Sequence, residues 1–170
     1  AVKGFAAGDI AAVGCMVDSC QTCDQCRKGE EQACREGNTG TYSSPDRITK
    51  EMTYGGYSKH LVVREEFVLR VPESLDLSRT APLLCAGITT YSPLRHWNVQ
   101  PGQRVGIVGL GGLGHMALKL ARAMGAEVAL FTTSPGKAAD AKRLGAHDVI
   151  ISKDPAEMRK HAGSFHLILD

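Results

Sequence analysis

Four of the six cysteines in this 170-residue sequence fall between positions 20 and 34. They stand as Cys20, Cys23, Cys26 and Cys34, in the pattern C-x2-C-x2-C-x7-C. A second chemically pointed stretch, Gly109-Leu110-Gly111-Gly112-Leu113-Gly114, follows directly on the apolar run RVGIV. The first has the ligand type and spacing of a metal site. The second has the form of a turn that cradles a phosphate.

Closely spaced thiolates let one loop wrap most of a zinc ion, and four of them saturate it. A zinc held this way has no open position for water or substrate, so its role is structural. Three rivals are weaker. The ferredoxin pattern for a [4Fe–4S] cluster closes with C-x3-C-P, whereas here seven residues intervene and Arg35 follows Cys34. A nucleic-acid-binding zinc ribbon needs a basic lobe, but Asp24, Glu30, Glu31 and Glu36 offset Arg27, Lys28 and Arg35. Disulfides suit small secreted domains without a core. This chain has core material in EVALF, DVIIS and FHLIL, and its start, AVKGFAAGDIAAVGC, lacks the pattern of a secretory signal. Reduced thiols in a cytoplasmic protein are therefore expected. Twenty basic against eighteen acidic residues, a net charge of +2, argue against a nucleic-acid groove. No apolar run approaches the roughly 18–20 residues that cross a bilayer, so no membrane partner is expected.

In the glycine stretch, Gly109 permits a tight turn, Gly111 lets the backbone approach a pyrophosphate, and Gly114 allows close helix–strand packing. The following helix would offer free N–H groups and its positive dipole end to the anion. The bland alternative is a glycine-rich turn without a ligand. The strand before it, the helix after it and the surrounding βαβ pattern favour the dinucleotide. The end of the next strand indicates which one. An NAD enzyme generally places Asp or Glu there to bind the ribose 2′-hydroxyl. This chain reads FTTSPGK, with hydroxyls at Thr132, Thr133 and Ser134, a cation at Lys137, and no carboxylate before Asp140. That set suits the 2′-phosphate of NADP(H), although the hydroxyls, Ser134 before Pro135 above all, could instead cap the next helix.

The elements that must position these groups change character near residue 100. Before it lie β-like stretches at 9–16, 56–63 and 67–71, with a polar, glycine-rich lobe over 18–52. SLDLSRTAPLLCAGITTYSPLRHW then reads as one or two helices, with Ser74 or Asp76 as cap and Pro93 expected to kink or divide them. After Pro101-Gly102, strands RVGIVG, EVALFTT, DVIIS and FHLILD alternate with helices GLGHMALKLARAMG, SPGKAADAKRLG and PAEMRKHAG. That alternation specifies a parallel sheet covered on both faces, with Gly125 and Gly145 as helix C-caps. The fold class is α/β: a partial Rossmann doubly wound sheet, strands ordered 3-2-1-4, preceded by a β-rich part carrying the metal lobe. Cys15 and Cys85, read alone, are small buried hydrophobes. The histidines are scattered, and His115 beside the glycine loop reads as packing or solvated.

Taken together, the GD strand, the cysteine lobe, YGGYS, APLLCAGITTYSPL, GLGGLGHMALK and FTTS resemble the medium-chain zinc-dependent alcohol dehydrogenases, in their cinnamyl-alcohol-dehydrogenase-like branch. The resemblance covers essentially all 170 residues. It implies a partial GroES-like catalytic domain over 1–75, a helical connection over 76–100 and the first part of an NADP-binding Rossmann domain over 101–170. It implies two zincs, a structural one on Cys20, Cys23, Cys26 and Cys34, and a catalytic one with Cys85 as a ligand. It places Thr89 against the nicotinamide, Gly109 to Gly114 on the pyrophosphate, and Thr132, Thr133, Ser134 and Lys137 in the pocket that selects NADP. The implied activity is hydride transfer between NADP(H) and a small-molecule alcohol/aldehyde pair, in a homo-oligomeric parent. The family's other catalytic-zinc ligands and last Rossmann strands have no match here, so the sequence reads as an interior segment, catalytically silent by itself. An NAD-dependent polyol dehydrogenase of the same superfamily and a non-catalytic, zinc-stabilised nucleotide-binding module are the alternatives.

Overall fold

A computed structural model describes residues 2–170, which divide between Cys85 and Ala86 into two compact units.

The first unit is built from three small two-stranded antiparallel sheets. Strand β1 (Ala11–Val13) pairs with β6 (Val68–Arg70), β2 (Met16–Asp18) with β3 (Thr39–Gly40), and β4 (Tyr42–Pro45) with β5 (Met52–Tyr54). The expected strand over 9–16 thus breaks after Val13, because its two halves take partners in different sheets. Cys15, expected in the core, lies exposed instead. The buried set here is mostly polar: Asp18, Ser19, Thr39 and Thr41 beside Val17 and Cys26. Threonine hydroxyls tie the sheets instead, Thr41 Oγ1 donating to the Gly14 carbonyl at 2.6 Å and Thr53 Oγ1 to the Gly40 carbonyl at 2.9 Å.

The strand expected over 56–63 does not form. Gly55–Tyr57 make a 3-10 turn, and Ser58 Oγ donates to the carbonyls of Gly55 and His60 at 2.7 and 2.9 Å. Local side-chain bonds of this kind compete with a strand ladder. Helix α1 (Leu77–Thr80) is capped by Asp76, whose carboxylate accepts from the Ser78 N–H. A 3-10 turn over Ala81–Leu84 follows and ends at Cys85.

The second unit opens with α2 (Ala86–His96), which runs through Pro93. The helical segment is divided at Cys85, where the backbone turns to φ −124°, ψ −77°, and not at Pro93 as expected. Pro93 withholds only the N–H that would have reached the Thr89 carbonyl one turn back. The rest is a parallel sheet ordered β10-β7-β8-β9, from strands β7 (Arg104–Val108), β8 (Glu127–Thr132), β9 (Asp148–Ile151) and β10 (Leu167–Leu169). Read from the far edge this is 3-2-1-4, the expected order. Helices α3 (Gly112–Ala123), α4 (Ala138–Leu144) and α5 (Pro155–Lys160) make the crossovers. Gly125 and Gly145 stand in left-handed conformation just past α3 and α4, as expected of C-caps. Along β8, Val128 and Leu130 join the larger core with Leu94, Ile107 and Leu118, while Ala129 and Phe131 face a second one. Apolar residues on both faces are what a covered parallel strand requires.

Two histidines use the same device at the end of the sheet where the strands begin. His166 donates its backbone N–H to the Arg104 carbonyl at 2.9 Å, and its ring Nδ1 accepts the Arg104 N–H at 3.1 Å. His147 makes the same pair of bonds with Val128, both at 2.8 Å. In each case the ring nitrogen stands in for a carbonyl and extends the ladder one step beyond the strand. Arg104 adds an ion pair to Asp148 at 3.0 Å and covers the Phe165 ring at 5.0 Å. His166→Phe should therefore free the Arg104 amide, at a cost of about 0.5–1.5 kcal/mol. His166→Asn, which keeps an acceptor near the Nδ1 position, should not. Amide hydrogen exchange at Arg104 reads the difference.

Candidate functional site

The structure brings Cys20, Cys23, Cys26 and Cys34 together, with their four Sγ atoms within 4.8 Å of one another. Local backbone shape accounts for this. Gln21 holds a left-handed φ of 59°, which turns the chain between the first two cysteines. One-turn 3-10 helices at Cys26–Lys28 and Glu31–Ala33 fold the loop back on itself. Backbone N–H groups already point at sulfur: those of Thr22 and Cys23 at Cys20 Sγ (3.5 and 3.3 Å), and that of Cys26 at Cys23 Sγ (3.5 Å). The Thr22 side chain and these amides lower the Cys20 thiol to about 6. The Cys26 amide likewise lowers Cys23. Cys26 differs. The Ser19 hydroxyl pulls its pKa down, but burial and the neighbouring sulfurs outweigh that and push it up to about 11.

Ser19 is fully buried, accepts from Gln21 Nε2 at 2.6 Å and lies 3.4 Å from Cys26 Sγ. With its oxygen occupied by the amide, its single proton is free to point at sulfur. The cage fits zinc. Bonds of about 2.3 Å to a tetrahedral ion set sulfurs about 3.8 Å apart, and Cys20 and Cys26 are separated by 3.8 Å. Four soft thiolates are also the donor set that a structural zinc takes. Asp24 and Arg35 brace the loop in a two-pronged pair at 2.5 and 2.8 Å, which holds the Asp24 carboxyl below its usual range. Sequence reasoning missed Ser19. Its only signal was its place directly before Cys20.

Cys85 is exposed, and it joins no group of three or more ligand side chains among the described residues. The cysteine cage is thus complete without it.

In the second unit, Thr89, Thr90 and Pro93 of α2 line a cleft of about 360 Å³ together with Gly109, Gly111, Gly112, Leu113 and Gly114. Gly109 has φ +82° and anchors the loop by donating its N–H to the Phe131 carbonyl at 2.8 Å. A Cβ on Gly114 would drive into the Gly109 carbonyl group, its carbon only 3.0 Å away, so helix and loop need glycine there to meet. A Cβ on Gly111 or Gly112 would meet open space, which leaves the backbone approachable. No side chain caps the start of α3, so its first N–H groups stay available to an anion. Leu110 packs against the core while Leu113 is exposed. His115 is half-buried, and its Nε2 finds no partner among the described residues.

Past β8 the predicted residues separate into two groups. Thr132 is buried and its Oγ1 accepts the Ser134 N–H at 3.1 Å, so this hydroxyl shapes the turn. Thr133, Ser134 and Lys137 are exposed. The Ser134 side chain makes no cap bond to the following 3-10 turn, contrary to the capping alternative. Lys137 Nζ donates to the Leu110 carbonyl at 3.2 Å and brings a cation to the glycine loop.

The family models for an alcohol dehydrogenase GroES-like domain and for a zinc-binding dehydrogenase match residues 1–73 and 112–170. The NADP-dependent alcohol dehydrogenase C 1 of Mycolicibacterium smegmatis is 54% identical over 99% of this chain and 48% of its own length. Among solved structures, a cinnamyl alcohol dehydrogenase of Sorghum bicolor superposes with a TM-score of 0.93 at 46% identity, over 98% of this chain and 48% of its own. The Helicobacter pylori CAD in complex with NADP(H) gives a TM-score of 0.83 at 45% identity, over 88% and 43%. The chain spans about half the length of the curated relatives it matches. It belongs to the zinc-binding, medium-chain alcohol dehydrogenases.

Two outcomes follow from the geometry. Within the metal-free cage, alkylation near neutral pH should reach the half-buried Cys20 before the buried Cys26, as peptide mapping over time would show. Gly114→Ala should destabilise the second unit by about 1–3 kcal/mol through overpacking, measurable by denaturation.

Proposed function

We propose that the full-length protein transfers a hydride reversibly between NADP(H) and a small-molecule alcohol/aldehyde pair. The observation that carries the cofactor reading is the Lys137 ammonium, 3.2 Å from the Leu110 carbonyl and in the same loop as the exposed hydroxyls of Thr133 and Ser134. A cation with two hydroxyls, and no carboxylate between Thr132 and Lys137, suits a 2′-phosphate and gives a bare ribose no acidic partner. The Gly109–Gly114 turn and the start of α3 would hold the pyrophosphate. Thr89, which lines the same cleft, would lie against the nicotinamide.

Cys20, Cys23, Cys26 and Cys34 would hold a structural zinc that fixes the lobe. Cys85 would be one ligand of a second, catalytic zinc whose other ligands lie outside these residues. Bound there, zinc supplies Lewis acidity toward the alcohol or aldehyde oxygen, and the cofactor carries the hydride. A cytoplasmic, homo-oligomeric enzyme is part of the same reading.

The test is cofactor binding by the full-length protein and its Lys137→Met variant. NADPH should bind more tightly than NADH. Loss of the charge-assisted contact, about 1.5–3 kcal/mol, should weaken NADPH on the order of tenfold or more and leave NADH within about twofold. Tighter binding of NADH would overturn the cofactor assignment in favour of the NAD-dependent relatives.

A further inference from the structure

We infer that Arg47 is a positioning residue for the cysteine cage, a latch across its neck, so that the fold and not the metal brings the four thiolates together. The inference rests on the zinc reading above. The lobe leaves the body of the first unit at Asp18, the last residue of β2, and returns at Thr39, the first of β3. Those strands have three and two residues and their register shifts. A pairing so short is a weak base for the long loop it carries.

Arg47 supplies what the strands do not. Its Nη1 lies 3.4 Å from Asp18 Oδ2 and its Nη2 3.2 Å from Glu36 Oε2, while its backbone N–H donates to Thr39 Oγ1 at 3.0 Å. Asp18 stands two residues before Cys20, and Glu36 two residues after Cys34. One planar guanidinium therefore spans both stems immediately outside the first and last ligands. Arg64 adds a second ion pair to Asp18 at 3.4 Å and donates its N–H to the Val17 carbonyl at 3.1 Å. The turn carrying Arg47 is itself fixed, because Asp46 Oδ1 accepts from the amides of Ile48 and Thr49 at 2.8 and 2.7 Å. Asp18 and Thr39 are buried, and a carboxylate in that position needs its partners. None of these residues is a metal ligand. A neck closed in advance removes most of the loop-closure entropy that metal binding would otherwise have to overcome.

The experiment uses the full-length protein in chelator-buffered zinc, with iodoacetamide labelling mapped to individual peptides. Cys20, Cys23, Cys26 and Cys34 are then read apart from Cys15 and Cys85. The free-zinc midpoint for protecting the four thiols should rise about 10–100-fold in Arg47→Met and several-fold in Glu36→Gln. Arg47→Lys should recover only part, since a single ammonium cannot span both carboxylates. The Glu36 side chain is 60% exposed, so Glu36→Gln keeps the fold and decides alone if Arg47→Met does not accumulate. A Glu36→Gln midpoint within about twofold of wild type would overturn the latch. Wild-type thiols that zinc never protects would instead overturn the zinc reading on which it rests.

Discussion

Without an apolar core near the lobe, the first unit depends on how its polar groups are gathered. Its buried side chains are those of Val17, Cys26 and four polar residues, whereas the second unit buries a dozen apolar residues in one cluster. Burial at about 25 cal/mol per Å² can drive the second unit together, but it has little to act on between residues 18 and 52. What remains is directional: N–H groups aimed at sulfur, threonine hydroxyls bridging strands, and charges around Asp18. Such groups stabilise only when every partner is in place. A tetrahedral ion would neutralise four groups that the fold has already gathered, and that would otherwise be mutually repelling thiolates or poorly satisfied thiols.

The second unit is organised by the opposite rule. Its sheet is set by apolar strands covered on both faces, and the site follows from where those strands stop. Gly109 is tied to the Phe131 carbonyl, so the glycine loop takes its position from the neighbouring strand. Gly114 lets α3 sit against that loop, and Lys137 reaches back to it from beyond β8. Three separate segments thus meet at one end of two adjacent parallel strands, where open α/β sheets bind their ligands.

Much of this was legible in the sequence because it is local or periodic. Zinc-ligand spacing survives as a short string, and alternating helices and apolar strands fix a parallel order with few options. What escaped was set by partners far along the chain. GGYSKHLVV has strand-like composition, yet Ser58 satisfies its neighbours' carbonyls and the segment becomes turn and loop. The residues at 9–16 read as one strand and are two, since pairing with β6 and β3 divides them. Ser19 and Arg47 carry no motif. Their roles appear only when Cys26, Asp18 and Glu36 are seen around them. Thr132 groups with Thr133 and Ser134 by residue type, and burial separates it from them.

The two ends of the parallel sheet show how one fold separates stability from function. At the end where strands begin, His147 and His166 lend ring nitrogens to extend the ladder, and Arg104 joins Asp148 and Phe165. At the other end, a Cβ on Gly111 or Gly112 would meet open space, no side chain caps the first turn of α3, and Thr133 and Ser134 are exposed. Unsatisfied donors are costly in a fold unless something else meets them. Their concentration at one end of the sheet, against the histidine and arginine bonds at the other, leaves that face the one open to a ligand.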